Sequence, residues 1–148
     1  MAAMTHRRLA QAATTFKQPA FSFIHPDDMP DVYAIPGYGR CMEPEIADGS
    51  LLAFDKRTQP RVGEIVVLFF SREHAPRYGM PGMIKRLAMP LPPEGVQGLI
   101  VVEQLNPRKI LTLPTSHVVA VHRCIGRAAG GDGPSYAKVR RSQIQGGE

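Results

Sequence analysis

The chain has 148 residues, 43% of them hydrophobic and 21% charged, with 18 Lys+Arg against 13 Asp+Glu for a formal net charge of +5. That length fits one ordinary domain with a real core, while 14 Pro and 14 Gly exclude an architecture of long helices. The arithmetic also predicts against a two-domain repressor, because a helix-turn-helix module and linker would leave too few residues for the β-rich body that follows.

Residues 1–36 read as an N-terminal arm. Residues 5–17 suit one short helix, after which Phe16, Phe21, Phe23, Ile24, Val32 and Tyr33 lie among Pro19, Pro26, Pro30 and Pro36, which prevent regular helix. The ordered domain is predicted over 37–127. Its strand-like runs are Leu51–Phe54, Glu64–Phe70, Met83–Leu87, Leu99–Val102, Lys109–Leu113 and Val118–Ile125, separated by turn signals such as Asp48-Gly49, Val62-Gly63 and Pro81-Gly82. Only Glu43–Ala47 suggests a helical turn. Six or more short strands without a βαβ alternation imply a mainly β, coiled antiparallel sheet. Phe69 and Phe70 cannot both be buried by one face of it, so an interface, cover by the arm or a core edge is expected there. Residues 128–148, with Gly130-Gly-Asp-Gly133, read as a flexible C-terminal tail.

The longest apolar run, Ile65–Phe70, falls far short of the roughly 20 residues of a membrane helix, and no signal-peptide pattern opens the chain. A cytoplasmic protein is expected. Basic residues do not cluster, so direct nucleic-acid binding is not expected. Cys41 and Cys124 have no Cys-x-x-Cys spacing, and His6, His25, His74, His117 and His122 have no ligand spacing, so neither metal nor disulfide is expected; nor is any cofactor. His117 and His122 are expected on opposite sides of one strand. Gly37-Tyr-Gly39 lacks the third glycine, preceding strand and long helix of a dinucleotide site.

Two segments carry chemistry. Gly39-Arg-Cys-Met-Glu-Pro-Glu-Ile-Ala-Asp-Gly49 precedes the strand Leu51–Phe54, and Gly82-Met-Ile-Lys-Arg-Leu87 follows some forty residues later. Together they resemble the self-cleaving peptidase domain of the LexA and UmuD family, whose fold is shared with type I signal peptidases. In that family a Gly-x-Ser-Met-x-Pro-x-Ile-x-x-Gly-Asp segment supplies a serine nucleophile and a Val-Lys-Arg-Leu-like strand supplies a lysine base. The resemblance spans roughly residues 33–127. It includes Gly63-Glu-Ile-Val-Val67, Leu105-Asn-Pro107 and His122-Arg-Cys-Ile-Gly-Arg127.

This chain departs from the pattern at three places. Cys41 stands at the serine position, Gly49-Ser50 replaces Gly-Asp, and an insertion around Ser71–Pro81 lengthens a hairpin, which a surface loop tolerates. The resemblance implies Cys41 as nucleophile and Lys85 as general base, with the backbone N–H groups of Cys41 and Met42 as oxyanion donors on a turn that Gly37 and Gly39 permit. Ser-Lys pairs are a known variant of triad logic, and a lysine cation beside a thiol favours the thiolate. The bland alternative is a degenerate fold that keeps Cys41 as a small core residue and Lys85 as a solvated strand residue.

The family cuts its own chain at an Ala-Gly or Cys-Gly bond about 35 residues before the nucleophile. No Gly precedes Gly37 here; Ala12-Ala13 is the nearest small pair, and Ala129-Gly130 lies after the last strand. The resemblance therefore implies either a free-standing, homodimeric Cys-Lys autopeptidase or a degenerate dimeric binding module acting through its arm. In both cases an accessory factor in DNA-damage response, mutagenesis or mobile-element regulation is expected. A RecA-type filament, a polymerase or a repressor would be the partner.

Overall fold

The computed structural model describes residues 25–128 and the backbone of the short strand Ile144–Gln145. The expected helix over 5–17, the pairs Ala12-Ala13 and Ala129-Gly130, and most of the tail lie outside the described residues.

The described chain is mainly β and antiparallel. Its strands are β1 (Val32–Gly37), β2 (Ser50–Asp55), β3 (Ile65–Phe70), β4 (Gly82–Leu87), β5 (Leu99–Leu105), β6 (Arg108–Pro114), β7 (Val118–Ala128) and β8 (Ile144–Gln145). One sheet joins them in the order β1-β2-β7-β3-β4-β5-β6, with β8 paired to β7. All six runs expected from sequence are strands. β1 is an addition, since it falls in the stretch assigned to the arm. It pairs with β2 from Val32↔Asp55 to Gly37↔Ser50, so the ordered body begins before residue 37. Pro36 is tolerated because β1 is an edge strand, where a missing N–H need not interrupt a ladder.

β3 explains the paired phenylalanines. Successive side chains of a strand point to opposite faces. Val67 and Phe69 join Met29, Tyr33, Met42, Ile46, Leu52 and Phe54 in one core, while Val66, Leu68 and Phe70 join Ala75, Leu87, Ile100, Val102 and Leu113 in a second. Both Phe69 and Phe70 are buried. Of the interface, arm cover or core edge expected there, the described residues show core on both sides: the sheet carries an apolar core on each face of its central strand. The register shifts between Ala53 and Phe54 and between Phe69 and Phe70, both against β7, as at a β-bulge, where a strand bends locally.

The first core holds a polar pair. Tyr33 Oη and His122 Nδ1 lie 2.6 Å apart, and the Tyr33 ring stacks on Phe54 at 5.8 Å between centroids. Burial, with Lys56 nearby, lowers the His122 pKa to about 4, so the imidazole is neutral at pH 7. Burial, with Cys124 nearby, holds the Tyr33 phenol far above its ordinary range.

The insertion after β3 is built into the fold. Ala75–Tyr78 forms the one-turn helix α1, and Tyr78 stacks on Phe70 with ring centroids 4.0 Å apart. Tyr78 Oη meets His117 Nδ1 at 2.7 Å, and the His117 ring stacks on His74 at 3.9 Å. His117 lies in the turn before β7 rather than on the strand with His122, so the expected pairing of the two on one strand does not occur. Desolvation, with His74 and Arg77 close by, lowers the His117 pKa.

Candidate active site

Residues 38–49 form a loop whose ends are clamped together. Gly37 and Ser50 are cross-strand partners, and the Gly49 N–H donates to the Gly37 carbonyl at 2.7 Å. Gly39 adopts φ +93°, a left-handed conformation that L side chains rarely take, and its N–H donates to Asp48 Oδ1 at 2.8 Å. Gly37 is ordinary strand backbone. A Cβ there would meet Ile46, Ile84 and Leu52 at 3.6–3.8 Å, so the turn depends on Gly39 and not on both glycines.

Within the loop, the Ile46 N–H donates to the Met42 carbonyl at 2.9 Å, which makes the helical turn expected near Glu43–Ala47. Met42 and Ile46 are buried and anchor that turn in the first core. The β5–β6 turn holds it from the other side. Leu105 N–H and Asn106 N–H donate to the Cys41 carbonyl at 3.0 and 2.8 Å, and Asn106 Nδ2 donates to the Arg40 carbonyl at 3.1 Å. Glu45 of the loop pairs with Arg86 of β4, whose Nε also lies 4.0 Å from Glu103 of β5. The Cys41 carbonyl is therefore held by the β5–β6 turn, and the loop around it is tied to β4 through Glu45 and Arg86.

Lys85 stands opposite Val66 in the β3–β4 register and is only 6% exposed. Its Nζ donates to Cys41 Sγ at 3.1 Å. Among the described residues no carboxylate pairs with it, so the thiol sulfur is its one side-chain partner. Burying an amine this way is costly unless the group is hydrogen-bonded, which counts against reading Lys85 as a solvated strand residue. Among the described residues, the Cys41 and Met42 N–H groups donate to no protein acceptor. The three residues singled out from sequence, Cys41, Met42 and Lys85, lie together in the fold.

Sequence reasoning missed the surroundings. Cys41 and Lys85 face an apolar groove of about 410 Å³, whose walls include Met29, Ile35, Phe69, Met80 and Ile84. Met29 comes from the segment before β1, and Met80 and Pro81 come from the insertion. The insertion thus contributes Met80 and Pro81 to the groove wall and packs on the sheet through the Phe70–Tyr78 stack. A signal did exist: Gly79, with φ +75°, terminates α1 immediately before Met80 and Pro81.

Cys124 lies elsewhere, on β7, with its thiol 3.7 Å from the Gly126 carbonyl, and burial pushes its pKa up. Both cysteines are free thiols. Among the described residues no group of three or more His, Cys, Asp or Glu side chains could hold a metal, and no helix is long and apolar enough to cross a membrane. Comparison with protein-family models, curated proteins and solved structures yields no match to this chain, so the reading of the site rests on its residues and geometry.

Proposed function

We propose that this chain is a peptidase domain of the LexA/UmuD type that hydrolyses peptide bonds with Cys41 as nucleophile and Lys85 as general base. The observation that carries the reading is the 3.1 Å contact between a buried lysine amine and a thiol at the wall of an apolar groove. At that separation a proton passes directly between Sγ and Nζ, which is the geometric requirement for general-base activation.

The reaction then balances as an acyl transfer. Sγ attacks the scissile carbonyl carbon while its proton passes to Nζ, and the developing oxyanion takes hydrogen bonds from the Cys41 and Met42 N–H groups. The C–N bond breaks as Nζ returns the proton to the leaving amine, leaving a thioester on Cys41. Water attacks the thioester, giving its proton to Nζ, and Sγ departs and regains a proton. An extended substrate suits the groove, because among the described residues β1 ends the sheet and β4 pairs with β5 only through Arg86 and Leu87. The outer edges of β1 and of residues 82–85 can therefore receive a peptide backbone. Substrate would be the chain's own arm or a neighbour's within a homodimer.

One observation favours a second reading, a binding module that retains the dyad without turnover. No Gly precedes Gly37, so an Ala-Gly bond of the family type is missing from the arm. A single experiment separates the two. The full chain is incubated from pH 7 to about 10, because rising pH favours the neutral amine that a lysine base requires, and intact mass is followed beside Cys41→Ala and Lys85→Ala. Fragments formed only by the unsubstituted chain support the peptidase. Its absence, with or without a RecA-type filament, combined with alkylation of Cys41 no faster than free cysteine, overturns it.

A further inference from the structure

The same contact permits chemistry that needs no peptide. We propose that Cys41 and Lys85 form a reversible redox lock, in which a hydroperoxide drives a covalent sulfur–nitrogen bond between the two side chains. A thiol at a groove wall is open to a small oxidant, and a sulfenic acid condenses with a nearby nitrogen. Here the nitrogen is already 3.1 Å from the sulfur, on a side chain 6% exposed, and pairs with no carboxylate among the described residues. The lysine's four-carbon stem closes the remaining distance by torsion, without moving the backbone that Leu105 and Asn106 hold.

Two steps balance. Cys41–SH reacts with the hydroperoxide to give Cys41–SOH, the sulfur losing two electrons while the peroxide O–O bond breaks and the oxidant leaves as alcohol or water. The neutral Lys85 amine then attacks that sulfur, the S–O bond breaks, one amine proton leaves with the hydroxide as water, and Cys41–S–NH–Lys85 remains. Excess dithiol restores thiol and amine and is itself oxidised to the disulfide. The bond removes nucleophile and base together and protects the sulfur from irreversible sulfinic and sulfonic acids. Cys124 is the internal reference, because burial keeps its thiol protonated and its hydrogen-bond partner is a carbonyl.

The test treats the reduced full chain with hydrogen peroxide, removes the oxidant with catalase and reads intact mass and a peptide map. The expected product is lighter than the reduced chain by two hydrogens, maps to a Cys41–Lys85 cross-link, and reverts with dithiothreitol. Cys124→Ser should retain it and Lys85→Arg should lose it. Persistence of the mass loss in Lys85→Arg assigns the nitrogen to backbone, and its disappearance in Cys124→Ser assigns a disulfide; either result overturns the proposal. So does a map of the unsubstituted chain with Cys41 over-oxidised and Lys85 unmodified, a readout that does not depend on any variant folding. The outcome is independent of hydrolysis. A cross-link without proteolysis under any condition sinks the peptidase alone, and proteolysis without a cross-link sinks the lock alone.

Discussion

Replacing His122 by Gln should reduce the acid sensitivity of this fold between pH 6.5 and 4. The imidazole is 7% exposed and bonded to Tyr33, and its pKa falls from 6.5 to about 4 on folding, mainly through burial. Asp55 and Asp27 act in the opposite direction but are outweighed, and Lys56 adds to the lowering. The folded state therefore binds fewer protons than the unfolded state within that window, so stability is complete above about pH 6.5 and declines as pH falls toward 4. At 1.36 kcal/mol per pH unit the full loss is about 3 kcal/mol. Gln retains a hydrogen-bonding side chain for Tyr33 and does not titrate. Its cost at pH 7 is about 1–2 kcal/mol, from lost ring packing and altered hydrogen bonding. Urea unfolding followed by far-ultraviolet circular dichroism at a series of pH values gives both numbers, the chain having no Trp to report by fluorescence. Equal slopes of stability against pH in the two proteins, or a His122 resonance titrating near 6.5, would refute the reasoning.

Other consequences of the fold are open to simpler measurements. A Cβ on Gly82 would collide with the Leu68 carbonyl oxygen, so Gly82→Ala should destabilise by about 1–3 kcal/mol, seen as a lowered Tm. Phe69→Ala and Phe70→Ala should each lose about 3–5 kcal/mol. Because the two rings belong to different cores, their effects should add within about 0.5 kcal/mol in a double-mutant cycle, and strong coupling would contradict the two-core arrangement. Asn106→Ala removes the bond to the Arg40 carbonyl and should lower stability by about 0.5–1.5 kcal/mol. Peptide mapping after limited alkylation should also show a changed Cys41 reaction rate in that variant while Cys124 is unaffected.

The strands that were legible in the sequence are the ones whose apolar runs sit between Gly and Pro turns, because strand pattern and turn chemistry there agree. β1 escaped because proline is normally read as a breaker, and only its place at the sheet edge makes Pro36 harmless. The meaning of Phe69-Phe70 was hidden for a different reason. Alternation along a strand says that the two side chains diverge, and only the long-range packing of other segments on both faces says that each finds a core. Cys41 and Lys85 could be named from local motifs, yet their 3.1 Å contact depends on the Gly37↔Ser50 clamp and the β3–β4 register acting together. Met29 and Met80 reach the groove from segments remote from either motif, so no local pattern could have assigned them to it.

Incubation of the full chain in heavy-oxygen water tests the peptidase reading most directly. Hydrolysis through a Cys41 thioester should yield two fragments whose masses sum to the parent plus one water. The new carboxyl terminus should carry one heavy oxygen, and neither Cys41→Ala nor Lys85→Ala should produce the fragments. Unlabelled fragments, the same fragments from both variants, or an intact chain at every pH up to about 10 would contradict the account.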